Sequence, residues 1–233
     1  MDSKGKGVGN LPKVLIGIPN RGMLPTAFVE TLNPALIGRD ELFAGQFAYA
    51  NWHIPDHARN TFVQTALDNN FDFLFMMDVD MIFPKGCLAL MLRHMVNIEE
   101  DTPPVVAGIY CNRGDDYRWH VYNWIEEKTG WHSLKFPLNQ GLRRVDAIGT
   151  GCMLIDVNVF KILEWPWFEY EYTIFQNERE RLSEDMKFCK KCMDAGIPIY
   201  ADTDIKCGHL QSVQIWPTDE GGYEVQTLAG EVY

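Results

Sequence analysis

Short apolar runs alternate with segments of helical spacing along the first half of the chain. The run at 14–18 is rich in β-branched residues and is stopped by Pro19, which predicts a buried strand followed by a loop. The same patterns predict further strands at 41–54, 71–78 and 103–113, and helices at 24–36, 55–70 and 83–97. Such alternation predicts an α/β fold, with a mostly parallel sheet flanked by helices on both faces.

The second half of the chain has a different pattern. Residues 117–136 are aromatic and polar around a Lys-Thr-Gly turn, which is typical of an antiparallel hairpin. Residues 143–160 indicate a strand, a glycine-rich bend, and then a second strand or a helix start. A helix is predicted from about Ser183, a suitable N-cap, to Ala195, followed by another strand.

These elements predict one compact unit with a small antiparallel part. We expect residues 13–210 to form a single domain and residues 211–233 to form a C-terminal extension. Residues 1–12 are polar and glycine-rich, which predicts a disordered tail.

Several polar residues stand directly after predicted strands. In open α/β sheets, ligands bind beyond the carboxyl ends of the strands. Residues 19–21, 78–80 and 111–113 all fall at such ends. The candidate site is therefore expected at this edge of the sheet.

Asp78-Val79-Asp80, a DxD motif, places two carboxylates at the end of an apolar run. Two close carboxylates repel each other, and burying an unpaired one is costly. A divalent cation held by carboxylate and phosphate oxygens would neutralise them, and it would also stabilise a departing nucleoside diphosphate. The alternative is a strand end with two solvated aspartates, and a three-residue motif on its own favours this simpler alternative, because such short matches are common.

Composition limits the classes of function. The 21 lysines and arginines are outnumbered by 32 acids, so the net charge of −11 opposes general nucleic-acid binding. No apolar run approaches the roughly 20 residues of a membrane helix, and the polar N-terminus lacks a signal-peptide core. We therefore expect a cytoplasmic protein without a membrane segment, whose six cysteines are reduced and mostly buried.

From about Lys13 to His209, an ordered set of segments resembles nucleotide-sugar glycosyltransferases of the GT-A fold, close to the inverting family 2 type. The matching segments are VLIGIPNRG, DHARNTFVQTAL, FDFLFMMDVDMIFP, VDAIGTGCMLID, SEDMKFCKKCMDAGIPIYAD and GHL. The resemblance implies transfer of a sugar from a nucleoside-diphosphate sugar to a hydroxyl acceptor, with Mn²⁺ or Mg²⁺ as cofactor.

The resemblance also implies roles for residues on the donor side. The residues expected to contact the donor are Pro19, Asn20, Arg21, Arg59, Asp78, Gly149 and Gly151. Arg59 could instead form an ordinary ion pair. The two glycines would let the backbone approach the sugar closely, although a simple bend explains them as well.

The remaining implied roles concern the metal and the proton. Asp78, Asp80 and His209 would bind the cation, with Asp80 the surer ligand. Asp185, preceded by Glu184, matches the acid that takes the proton from the acceptor hydroxyl in inverting relatives. Both acids could instead merely favour a helix start.

Three alternatives stay open at this point. Cys189-x-x-Cys192 with Cys207-x-His209 has the residue types of a structural zinc site, although the first pair lies within a predicted helix. A nucleotidyltransferase would require a glycine-rich loop with a basic residue after the first strand, and residues 18–25 match this poorly. A non-catalytic nucleotide-binding module is the third.

The acceptor is less constrained. Residues 110–144 contain six lysines and arginines against four acids, together with Trp119, Trp124 and Trp131. The aromatic residues of 165–181 could likewise stack on a sugar face. We expect a saccharide or another small hydroxyl acceptor rather than nucleic acid, because net charge −11 repels phosphates. A hydroxylated DNA base remains the alternative.

Overall fold

A computed structural model describes residues 11–51, 53–113, 117–125, 130–175, 178–217 and 223–227. The strands are β1 Lys13–Asn20, β2 Ala44–Asn51, β3 Phe73–Met77, β4 Met81–Ile82, β5 Val105–Ile109, β6 Val121–Ile125, β7 Gly130–Ser133, β8 Leu142–Val145, β9 Ala147–Ile148, β10 Cys152–Asp156, β11 Glu171–Phe175, β12 Glu178–Leu182, β13 Ile199–Lys206, β14 Gly208–His209, β15 Val213–Pro217 and β16 Tyr223–Thr227. The helices are α1 Thr26–Ala35, α2 Pro55–Asp68, α3 Cys87–Asn97, α4 Val159–Ile162 and α5 Glu184–Asp194.

The central sheet has seven strands in the order β2-β1-β3-β10-β5-β13-β8. Five of them run in one direction, while β10 and the edge strand β8 run against their neighbours. The predicted mostly parallel α/β sheet is confirmed. Because β10 lies between β3 and β5, the residues that precede it reach the carboxyl ends of both neighbours.

Helices cover both faces of this sheet, as predicted. Phe62 of α2 and Phe188 of α5 are buried in one core cluster, and Phe28 of α1 and Met91 of α3 are buried in the other. The approach of α2 is close enough that a Cβ at Gly17 of β1 would lie 2.7 Å from the Phe62 ring. Glycine at this position therefore allows the helix to pack directly on the strand.

The aromatic segment forms the predicted antiparallel element. β6 pairs with β7 and also with β9, which makes a small three-stranded sheet beside α5. The predicted Lys-Thr-Gly turn lies largely outside the described residues, which omit 126–129. Within 211–233, the described strands β15 and β16 form a separate two-stranded hairpin.

No helix among the described residues is long and apolar enough to cross a membrane.

Candidate functional site

A cleft opens at the carboxyl ends of β1, β3 and β5, where α2 and α5 begin. It brings together most of the residues that the sequence analysis selected. Those that line it are Pro19, Asn20, Arg21, Arg59, Asp78, Asp80, Glu184, Asp185 and His209.

Arg59 is tied to two acids on the inner side of the cleft. Its Nη1 and Nη2 donate to the two carboxylate oxygens of Asp78 at 3.0 and 3.1 Å, and its Nε donates to Glu184 at 3.3 Å. Although burial opposes it, the charges of Asp78 and Glu184 raise the pKa of Arg59 beyond its ordinary value. The arginine therefore stays charged and binds both carboxylate oxygens of Asp78.

Burial is the strongest influence on the pKa of Glu184. It raises the pKa of this carboxyl, the charge of Arg59 lowers it, and neighbouring Asp185 raises it again, with a net rise. The first turn of α5 thus holds one acid that resists ionisation.

Asp80 faces a second set of partners on the outer side of the cleft. Arg113 Nη1 lies 3.2 Å and His209 Nε2 lies 3.4 Å from Asp80 Oδ2. Burial would raise the pKa of Asp80, but the contact with His209 and the charge of Arg113 lower it below its ordinary value. Asp80 is therefore an ionised carboxylate at physiological pH.

A backbone carbonyl fixes the orientation of the His209 ring. Its Nδ1 lies 2.7 Å from the backbone carbonyl of Cys111, and a carbonyl only accepts hydrogen bonds, so Nδ1 carries the proton. Nε2 then points at Asp80. A second-sphere carbonyl of this kind is typical of histidines that bind metals.

Asp185 is fixed at the start of α5 on one oxygen only. The hydroxyl of Ser183 and the backbone N–H of Met186, at 2.8 Å, both donate to Oδ1. Oδ2 faces His120 Nε2 at 3.4 Å. Ser183 is the N-cap residue, as predicted, but its hydroxyl binds this carboxylate instead of capping the backbone.

Tyr110, at the end of β5, stands between the cleft and the glycine-rich bend. Its hydroxyl accepts a hydrogen bond from the N–H of Gly151 at 3.2 Å, and a Cβ on Gly149 would lie 1.9 Å from the same oxygen. Both glycines thus make room for Tyr110, which lines the cleft while they lie behind it. The close approach of a sugar to these glycines stays a prediction.

Among the lining residues that were not sequence candidates are Tyr110, Arg113 and His120. Arg113 had a detectable signal, since residues 111–113 follow a predicted strand. His120 had none, because it enters the cleft from a loop next to the small antiparallel sheet. Burial lowers the pKa of His120, and this effect outweighs the opposing charge of Asp185.

The alternative zinc constellation is not assembled. Cys189 and Cys192 are fully buried in the core beneath α5, and Cys189 Sγ contacts the carbonyl of Ile148 at 3.4 Å. Cys207 belongs to the core cluster on the opposite face of the sheet. The helical spacing of the first pair points both thiols into the apolar core.

The aromatic candidates divide between core and surface. Trp167 is buried and donates its indole N–H to the carbonyl of Phe160, whereas Trp165 is 72% exposed. Trp119 and Trp131 pack partly against the core.

A second group of possible metal ligands lies among residues that do not line the cleft. His94, Asp202 and Asp204 each offer one ligand atom, and these atoms lie within 4.8 Å of one another.

No known family model matches the chain. Among curated proteins, an NAD(P)H-dependent D-xylose reductase from Scheffersomyces stipitis is 23% identical over 144 residues. That match covers 59% of this chain and 40% of the reductase. It is too distant to show a common family.

Two solved structures share the fold. The structure of A197 from STIV matches with a TM-score of 0.60 at 16% identity, over 93% of this chain and 94% of that one. GalNAc-T7, solved with UDP, GalNAc and Mn²⁺, matches with a TM-score of 0.54 at 12% identity, over 87% of this chain. This chain spans 44% of the GalNAc-T7 chain. These likenesses confirm the predicted GT-A type of α/β fold.

Proposed function

We propose that this protein is a metal-dependent glycosyltransferase that moves a sugar from a nucleoside-diphosphate sugar to a hydroxyl acceptor. The observation that carries the proposal is the arrangement of one cleft at the carboxyl ends of the strands. There, an ionised Asp80 faces His209, and Asp185 presents one oxygen at the start of α5. In our proposal the active unit is the segment 13–210.

Asp80 and His209 suit a divalent cation. His209 Nε2 lies 3.4 Å from a carboxylate oxygen of Asp80, and imidazole nitrogen and carboxylate oxygen are both ligands of divalent cations. Mn²⁺ or Mg²⁺ held there would neutralise a diphosphate and stabilise its departure. Asp78, already bound through both oxygens by Arg59, would contribute less to the metal and more to the position of the donor.

The loop after β1 is preorganised for the nucleoside. The Asn20 side chain accepts a hydrogen bond from the N–H of Gly22 at 2.8 Å and contacts the carbonyl of Ile18 at 3.5 Å. This side chain fixes the turn that presents Pro19 and Arg21 to the cleft. Arg59 then acts on the donor through Asp78 rather than by direct contact.

Asp185 is our candidate base. Its Oδ1 is occupied by two donors, so Oδ2 is the oxygen that would take the proton of the acceptor hydroxyl as that hydroxyl attacks the anomeric carbon. The bond between the sugar and the diphosphate breaks in the same displacement. Glu184 holds Arg59 in place beside it.

A saccharide or other small hydroxyl compound is the acceptor that the charges favour. Arg144 is paired with Glu100 at 3.1 Å, and Arg143 donates to Gln140 at 2.6 Å. Part of the basic excess in 110–144 is therefore already bound within the protein, which weakens the case for a DNA acceptor.

A ligand screen tests the proposal. Thermal unfolding is measured with nucleoside diphosphates and nucleotide sugars, with and without Mn²⁺, and release of the nucleoside diphosphate is assayed in parallel. A ligand at 100 times its dissociation constant adds about 2.7 kcal/mol to the free energy of unfolding. We expect stabilisation and turnover that require metal in the wild type. If ligands stabilise the protein but no nucleotide sugar in the screen is turned over, a nucleotide-binding module is favoured instead.

A further inference from the structure

His94, Asp202 and Asp204 form a cluster at the junction of α3 and β13. His94 lies in the last turn of α3. The two aspartates lie on β13, with Thr203 between them, beside the edge strand β8. None of the three lines the nucleotide cleft. We propose that this cluster is a second metal site, which binds a first-row transition ion such as Zn²⁺.

The unsatisfied atoms of the cluster carry this inference. Asp202 is completely buried, and its Oδ2 lies 3.2 Å from His94 Nε2. The pair is close enough for a hydrogen bond but does not have the geometry of one, and among the described residues neither atom has any other hydrogen-bond partner. A buried carboxylate oxygen and a buried ring nitrogen without partners are costly to keep in this state.

A metal ion between His94 Nε2 and Asp202 Oδ2 would account for both their separation and their lack of hydrogen-bond geometry. Zinc lies about 2.0–2.2 Å from imidazole nitrogen and carboxylate oxygen, so two ligands at a tetrahedral angle are about 3.3–3.5 Å apart. The 3.2 Å between His94 Nε2 and Asp202 Oδ2 is close to this separation. Both atoms would then point at the ion rather than at each other.

The other oxygens of the cluster are already held by the backbone. Asp202 Oδ1 accepts the N–H of Asp204 at 2.9 Å, and Asp204 Oδ1 accepts the N–H of Gly141 at 3.1 Å. These bonds orient both carboxylates, as outer partners do in metal sites.

The third ligand is open to solvent. Asp204 is exposed, whereas Asp202 is buried and His94 is partly buried. One imidazole and two carboxylates leave a fourth position for water, and imidazole favours a transition ion over Ca²⁺ or Mg²⁺. The simpler alternative is a buried histidine–aspartate ion pair without metal, and metal binding itself distinguishes the two.

The test uses the full chain with the cleft disabled. An Asp80→Asn/His209→Ala variant removes the metal ligands proposed for the nucleotide site, so that binding there cannot contribute. Zn²⁺ binding to this variant is measured by titration calorimetry, and Co²⁺ is used as a visible-absorption probe. We expect one ion per chain and the absorption of four-coordinate Co²⁺ without the near-ultraviolet band of a thiolate ligand.

Single substitutions in this background identify the ligands. His94→Gln or Asp204→Asn should weaken Zn²⁺ binding at least tenfold to a hundredfold, the scale found even for outer partners of metal sites. The matched control is Asp101→Asn, which changes another exposed aspartate. Circular dichroism without metal verifies that each variant is folded, and Asp204 is exposed enough that its substitution should leave the fold intact.

No bound Zn²⁺ in the Asp80→Asn/His209→Ala protein, or binding that neither His94→Gln nor Asp204→Asn weakens, would overturn the proposal. These results do not depend on glycosyl transfer, so a failure here is separate from a failure of the proposed function.

Discussion

Two charged clusters line the cleft. The inner cluster consists of Arg59, Asp78 and Glu184, and the outer cluster consists of Asp80, Arg113 and His209. The side chain of Arg59 is 5% exposed, whereas that of Arg113 is 30% exposed. The inner arginine makes three hydrogen bonds to its acids, whereas the outer one contacts Asp80 through its Nη1.

This difference teaches how one DxD motif can serve two purposes. Asp78 is neutralised by the buried guanidinium of Arg59, whose loss would leave the partly buried Asp78 and the buried Glu184 unpaired. Asp80 is neutralised by partners that are closer to solvent and can be exchanged for a ligand. In our proposal the inner cluster holds Asp78 in position for the donor, and the outer cluster binds the metal.

The largest effect is expected from Asp80→Asn. It removes the one carboxylate charge of the outer cluster, so metal-dependent transfer should fall below detection while the fold remains intact. Product formation and the thermal midpoint are measured side by side with Asp40→Asn, an exposed control whose side chain is 80% exposed. Full activity of Asp80→Asn in excess chelator would contradict the assignment.

A matched arginine pair tests the comparison directly. Arg59→Met leaves Asp78 and Glu184 unpaired and should lower the free energy of unfolding by about 3–5 kcal/mol. Arg113→Met breaks a more exposed pair and should lower it by about 0–1 kcal/mol. Urea denaturation measures both variants. Equal losses would show that the two clusters are not energetically different.

Asp185→Asn should separate binding from chemistry. We expect transfer to fall by about two to four powers of ten, the scale of a general base, because the amide cannot accept the acceptor proton. Affinity for the nucleoside diphosphate should stay within a few-fold, since the inner cluster is intact. A comparable loss of donor affinity, measured by calorimetry, would make Asp185 a donor-binding residue instead.

The smallest effect concerns pH. Burial lowers the pKa of His120 below its ordinary 6.5, so the unfolded chain binds this proton more tightly than the folded protein does. Its contribution to stability is present above pH 6.5 and is lost as the pH falls through the folded pKa, with a slope of at most about 1.4 kcal/mol per pH unit. His120→Gln should flatten the decline in unfolding free energy on this acidic side.

Glu184 supplies the control for that experiment. Its pKa is raised, so its contribution is present below the ordinary 4.5 and is lost as the pH rises through the folded value. Glu184→Gln should therefore change the pH dependence in the opposite sense to His120→Gln. Shifts in the same direction would contradict the assignment of these two pKa changes.

Local patterns were sufficient for much of the fold and for the position of the cleft. An apolar run followed by Asp78 and Asp80 marks a strand end, and parallel strands bring such ends to one edge. The start of α5 was predictable because Ser183 and two acids precede an amphipathic run. These features depend on neighbours within a few residues.

Long-range features could not be obtained in this way. The partner of Arg59 in α5 is 125 residues away, so no spacing indicates whether the arginine binds donor or protein. The antiparallel direction of β10 depends on how the chain reaches it, and a run of apolar residues has no direction. The position of His120 beside Asp185 cannot be predicted from local sequence either, because a loop and a helix start meet only in the folded chain.

The antiparallel direction of β10 also determines how the protein can be attached to a surface. Residues 149–151 precede β10 and lie near the cleft, whereas its last residue, Asp156, lies at the opposite edge of the sheet, where its N–H bonds to the carbonyl of Pro104. Asp101 is exposed in the loop that leads to this far edge. A tether placed at Asp101 would turn the cleft away from the support and toward the solution that carries the substrates.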